Sequence, residues 1–158
     1  MPTHRIRLKA PWLVSAQEKG QPVAPSSGTL NSKLELPALL EQLLSSRTEP
    51  LDVQATRRFH RPTGLTNSSS ISVAITSQRP PDQVLFGPIA PGSQASDQLE
   101  ELPASRGKRN GKQDCFEFVL PQDLQLRNEL QLQWTQLHPE CSLESLSVEL
   151  VIHEPDSI

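Results

Sequence analysis

The chain has 158 residues, enough for one domain that buries roughly two-thirds of its unfolded surface. A formal charge of −3 and a pI near 5.8 exclude a bulk nucleic-acid or membrane-surface binder acting through net charge. Only 35% of residues are hydrophobic, and 15 Pro and 7 Gly interrupt them, so part of the chain must be loop outside the core.

No apolar run approaches the ~20 residues of a membrane-spanning helix. The N-terminal MPTHRIRLKAPWLV alternates polar and apolar residues and lacks the hydrophobic block of a secretory signal, so a cytoplasmic location is expected. Cys115 and Cys141 do not make a disulfide framework and are expected to be free thiols, although a bridge between them stays open at this stage.

In chain order, His4–Lys9 alternates Ile6 and Leu8 against Arg5, Arg7 and Lys9, a strand whose charged face suits a sheet edge. Pro11-Trp12-Leu13-Val14 continues it after a break. Ser15–Ser32, rich in Gln, Pro, Ser and Gly, reads as loop, and Lys33–Leu36 as a short strand. From Pro37 the apolar period changes: Leu39, Leu40, Leu43 and Leu44 share a helical face, giving one short helix over roughly Pro37–Ser46 that plugs the sheet stack.

Leu51–His60 is the clearest strand. Leu51, Val53, Ala55 and Phe59 face one way, while Asp52, Gln54, Thr56, Arg58 and His60 face the other. Arg57 is the lapse on the apolar parity and should reach water with its head. After the Pro62–Ser70 turn, Ile71, Val73 and Ile75 mark another half-buried strand, and Gln83–Phe86 a short one. Gly87–Asp114 carries acidic residues (Asp97, Glu100, Glu101) and then Arg106, Lys108, Arg109 and Lys112, and is expected to be one long flexible loop. Cys115–Leu120, Asn128–Trp134 and Leu146–His153 close the chain with alternating strands, the second setting Leu130, Leu132 and Trp134 against Glu129, Gln131 and Gln133. The whole reads as all-β: a single domain over residues 1–158, an antiparallel two-sheet sandwich with one short helix. Its core should hold Phe59, Ile71, Val73, Ile75, Phe116, Phe118, Leu130, Leu132, Trp134, Val148, Leu150 and Ile152.

Arg57-Arg58-Phe59 ending a strand at a proline, the strand Ile71–Thr76, Phe116-Glu117-Phe118-Val119 through Asp123-Leu124, and Arg127-Asn128-Glu129-Leu130 follow one another in a familiar order. Over Lys33–Ile152 that order resembles the galactose-binding-domain-like jelly roll, in particular the N-terminal sugar-binding domain of glycoside hydrolase family 2 enzymes. The resemblance implies a fold and a history near carbohydrate enzymes. Where family members carry Leu-Asn-Gly, this chain has Leu85-Phe86-Gly87, and the catalytic barrel that follows the domain in those enzymes is not in this sequence.

The residues themselves offer little catalysis. Glycoside hydrolysis needs two carboxylates across a sugar, and no placed pair stands out among the 18 acidic residues. His4, His60, His138 and His153 lack ligand spacing, so no metal or other cofactor is expected. Ser68-Ser69-Ser70 reads as turn. Sugar-binding sites use aromatic platforms beside polar groups. With no Tyr and most aromatics on inward parities, Trp12 and Phe86 are the candidate exposed platforms, with Arg58 and His60 as polar neighbours. Two functions are compatible with this: a non-catalytic, weak carbohydrate-binding module, or a protein-interaction or structural module that kept the fold and lost its ligand site. Neither a nucleic-acid nor a membrane partner is expected.

Overall fold

The computed structural model describes residues 3–9, 11–23, 34–45, 47–94, 96–103, 106–110, 113–121 and 124–154, with backbone alone for 106–110 and 113–114. The chain opens with β1 (Thr3–Arg7), β2 (Leu13–Glu18) and β3 (Gln21–Val23), followed by α1 (Leu36–Leu44). Then come β4 (Leu51–His60), β5 (Ser70–Ser77), β6 (Gln83–Pro88) and β7 (Glu100–Glu101). The remaining strands are β8 (Arg106–Asn110), β9 (Gln113–Val119), β10 (Arg127–Leu137) and β11 (Ser147–His153).

Every strand pairing is antiparallel. One sheet has five strands in the order β1-β11-β5-β9-β8, and the other has six in the order β3-β2-β4-β10-β6-β7. The chain crosses between them six times, at β1–β2, β4–β5, β5–β6, β7–β8, β9–β10 and β10–β11, and so closes one sandwich. The core follows from strand parity. Val53, Ala55 and Phe59 of β4, Leu130, Leu132 and Trp134 of β10, and Val73 and Ile75 of β5 all turn inward and are buried. Of the twelve core residues expected from the sequence, only Phe116 is left half-buried.

In α1, Pro37 occupies the first turn, where its missing N–H costs nothing, and Leu36, Leu39, Leu40, Leu43 and Leu44 all enter the same core. The helix therefore begins at Leu36, and the strand expected over Lys33–Leu36 does not form at its described end. The expected Ser15–Ser32 loop also needs correction: Ser15–Glu18 belongs to β2 and Gln21–Val23 to β3. Lys19 and Gly20, both at positive φ (50° and 83°), form the two-residue turn between them. Composition hid this hairpin because its strands lie at the sheet periphery. Backbone pairing of β2 with β4 and of β3 with β2, rather than apolar content, sustains them, and Pro22 is tolerated on the edge strand.

The long loop expected over Gly87–Asp114 is broken up by structure. The end of β6, the short β7 and the β8–β9 hairpin all fall within it, the hairpin turning at Asn110 and Gln113. The side chains of the basic cluster at 106–112 lie outside the described residues. Arg57, on the inward parity opposite Leu130, does not run straight to water. Its Nε donates to the Lys9 carbonyl at 2.7 Å and its Nη1 to the Arg58 carbonyl, satisfying the backbone where the chain passes from β1 to β2. Cys115 and Cys141 are both free thiols.

Candidate functional site

The outward face of the six-stranded sheet carries the most organised polar surface among the described residues. Antiparallel register sets its side chains in rows across the strands. Leu13, Thr56, Gln131 and Leu85 form one row; Ser15, Gln54, Gln133 and Gln83 form the next. Gln17 stands opposite Asp52 on one side of these rows, and Arg58, Glu129 and Gly87 align on the other. Alternation explains why the face is polar: these residues are the off-parity set of strands whose other face builds the core.

A segment beyond β6 turns this flat grid into a trough. Residues 96–99 lie over β6 as a strap. A Cβ on Gly87 would come within 2.6 Å of both the Gln98 carbonyl oxygen and Ser96 Oγ, so only glycine lets the backbone approach this closely. Ahead of the strap in sequence, Arg127 Nη1 donates to the Ser93 carbonyl at 2.9 Å. Between the strap and β2 lies a hollow of about 430 Å³, lined by Leu13, Ser15, Gln54, Thr56, Arg58, Ser96, Leu99, Glu129 and Gln131 among others. A second hollow, of about 240 Å³, continues from it, sharing Ser15 and Gln54 and reaching Gln17, Asp52, Gln133 and Thr135.

The charges in the trough are spoken for. Glu129 is only 4% exposed although it sits on the outer face, and its Oε1 accepts from Arg58 Nε at 3.2 Å. Asp52 Oδ1 accepts from the Gln136 backbone N–H at 2.9 Å and holds the bulge that ends β10, where Gln136 sits at a φ of 55°. Gln133 Nε2 donates to Gln131 Oε1 at 2.7 Å. Between the two paired carboxylates, the hydroxyls of Ser15 and Thr56 and the amide of Gln54 have no hydrogen-bond partner among the described residues. The trough thus offers uncharged donors and acceptors at its centre, an ion pair at one end and a carboxylate held by a backbone N–H at the other.

The sites expected from the sequence fare unevenly. Arg58 lies in the trough. His60 is exposed at the end of β4, paired across to Arg127 and outside both hollows. Trp12 and Phe86 are not surface platforms. Trp12 is 2% exposed and donates its Nε1–H to the Leu8 carbonyl at 3.1 Å. Phe86 is 6% exposed and packs a tilted ring 6.1 Å from Phe59, centre to centre. Trp12 misled because Pro11 obscured the parity of its segment, and Phe86 because a short strand shows too little alternation to assign a face. Parity did mark Gln54, Thr56, Glu129, Gln131 and Gln133 as outward. Nothing local signalled that β2, β4 and β10 would be neighbours or that a strap would wall them in.

Another hollow, about 280 Å³, opens between the sheets and is lined mainly by Ile75, Val84, Leu102, Phe116, Phe118 and prolines. Its polar lining is limited to Asp82, Gln83 and Glu101 at the rim. Among the described residues no cluster of His, Cys, Asp or Glu has the makings of a metal site, and no helix is long and apolar enough to cross a membrane.

Comparison with known protein families, with curated proteins and with solved structures finds no match. The chemistry of the trough therefore carries the functional conclusion.

Proposed function

We propose that this protein is a non-catalytic carbohydrate-binding module that holds a hydroxyl-rich ligand in the trough on the six-stranded sheet. The observation that carries this is the set of unpartnered, uncharged hydrogen-bonding groups, Ser15, Gln54 and Thr56, between two carboxylates that are already paired. A sugar presents alternating donors and acceptors without charge, which is the complement of such a surface. The resemblance of the chain to the galactose-binding-like jelly roll supports the same class, as a degenerate relative.

Two further considerations set the terms. Asp52 and Glu129, the carboxylates of the trough, align with positions six residues apart on β4, about 20 Å at ~3.3 Å per residue. Glycosidic cleavage needs its two carboxyl groups within about 10 Å, so the arrangement suits binding rather than hydrolysis. Trp134, the one aromatic residue bordering the two hollows, is buried in the core at 1% exposure, and Leu13, 56% exposed, is the main apolar contact. A few exposed hydrogen bonds and a small aliphatic contact support about 4–5.5 kcal/mol of net binding, a Kd of ~0.1–1 mM.

Titration against a panel of neutral saccharides, alongside Gln54→Ala and Thr56→Ala, tests this. Binding that weakens severalfold in both variants while unfolding stability is unchanged is expected. Turnover of a chromogenic glycoside by the pure protein would overturn the non-catalytic part. Exposed Leu13 on the same face favours the second reading, a protein-interaction module. Silence on every saccharide, with a partner protein whose capture is lost in Leu13→Ser, would establish that reading instead.

A further inference from the structure

Resting on the carbohydrate reading of this trough, we infer that its ligand is a linear, uncharged glycan chain lying parallel to β4, across both hollows, rather than a single terminal sugar. The geometry is that of a channel, not a cup. The two hollows share Ser15 and Gln54 and together follow β4 from Asp52 to Arg58, about 20 Å of strand. The strap at 96–99 lies over β6, whose strand runs antiparallel to β10 and so alongside β4. It walls the side of the channel and does not cap its length.

Chemistry is repeated along that length. Thr56 and Gln131 serve one stretch, Ser15, Gln54 and Gln133 the next, and Gln17 and Thr135 the last, each a set of hydroxyl and amide groups. A ladder of like groups at successive rows of a sheet matches a ligand that repeats along its own axis. A terminal sugar would instead be gripped by groups converging on one point. Charge argues for a neutral chain. Arg58, the one cation among the described lining residues, is committed to buried Glu129, and Asp52 has only the neutral Gln136 groups as partners, so a carboxylated or sulfated glycan would meet Asp52 with no cation to offset it.

The experiment is calorimetric or NMR titration of the full chain with linear 1,4-linked gluco-, manno- and galacto-oligosaccharides, from disaccharide to hexasaccharide, and with an oligogalacturonate as the anionic control. For one of the neutral series, affinity should climb with length by about tenfold or more from disaccharide to hexasaccharide, because each added unit reaches further rows at no new cost of association. Gln17→Ala, at the far row, should weaken the hexasaccharide while leaving the disaccharide unchanged; Thr56→Ala should weaken both. A disaccharide that binds as tightly as the hexasaccharide, or a Gln17→Ala variant that binds all lengths normally, overturns the channel while leaving the carbohydrate module standing. Preference for the oligogalacturonate overturns the uncharged ligand. No binding to any member by the folded protein overturns both this inference and the function on which it rests.

Discussion

Gly87 and Gln98 touch backbone to backbone: the position a Gly87 Cβ would take is 2.6 Å from the Gln98 carbonyl oxygen. This contact lets the strap lie down on β6 and gives the polar face of the sheet its wall. Gly87→Ala should therefore push the strap off the sheet. Overpacking of this kind costs about 1–3 kcal/mol. Urea unfolding should show that loss, and saccharide affinity should fall with it. An alanine variant of full stability and unchanged affinity would mean the strap shifts freely and shapes nothing.

Trp12 joins the two layers at the point where the chain leaves β1 and enters β2, its ring in the core and its Nε1–H on the Leu8 carbonyl. Trp12→Ala should cost about 3–5 kcal/mol, as large buried aromatics do, and Trp134→Ala a similar amount. The check is chemical denaturation with the linear extrapolation of each variant. A change below ~1 kcal/mol at Trp12 would place the ring on the surface.

Arg58 and Glu129 form an unequal pair, since the arginine side chain is 40% exposed and the glutamate side chain only 5%. Removing the arginine strands a nearly buried charge, so Arg58→Ala should destabilise by about 1–3 kcal/mol. Glu129→Gln in the same molecule should recover most of it, because the buried group is then neutral. Stability measured on the two single variants and the double variant closes the cycle. Equal losses for the double and for Arg58→Ala would show that charge on Glu129 is not the cause.

Asp82 ties the end of β10 to the β5–β6 turn. Partial burial opposes its charge, but the Thr135 backbone N–H, donating at 2.6 Å, and the Arg79 guanidinium outweigh this and hold its pKa below the ordinary value. A carboxyl depressed in the folded state contributes stability above the unfolded aspartate pKa, near ~3.9, and loses it as pH falls through the lower folded value. Wild-type stability should therefore decline on the acid side of about pH 4 more steeply than that of Asp82→Asn, as read from urea midpoints against pH. The group is substantially exposed, so the difference should be small and should shrink in high salt. Parallel curves for the two proteins would refute the assignment.

Period-two alternation in β4, β5, β10 and β11 was enough to specify an all-β sandwich, and helical spacing of leucines after Pro37 was enough to place α1. Both signals come from the chain's own geometry: side chains that must share a face recur at the period of the element that carries them. The same parity named Gln54, Thr56, Glu129, Gln131 and Gln133 as outward. What it left open was non-local. That β2 would pair with β4 depended on backbone hydrogen bonds, which any sequence supplies, and so Ser15–Glu18 looked like loop. That Trp12 and Phe86 would be buried depended on which layers closed over them, a question settled by total apolar area rather than by neighbours in sequence. The trough required β2, β4 and β10 side by side and a strap admitted by Gly87. No residue in it is unusual on its own, and only the tertiary fold brings Ser15, Thr56 and Gln131 to adjacent positions on one wall-bounded face.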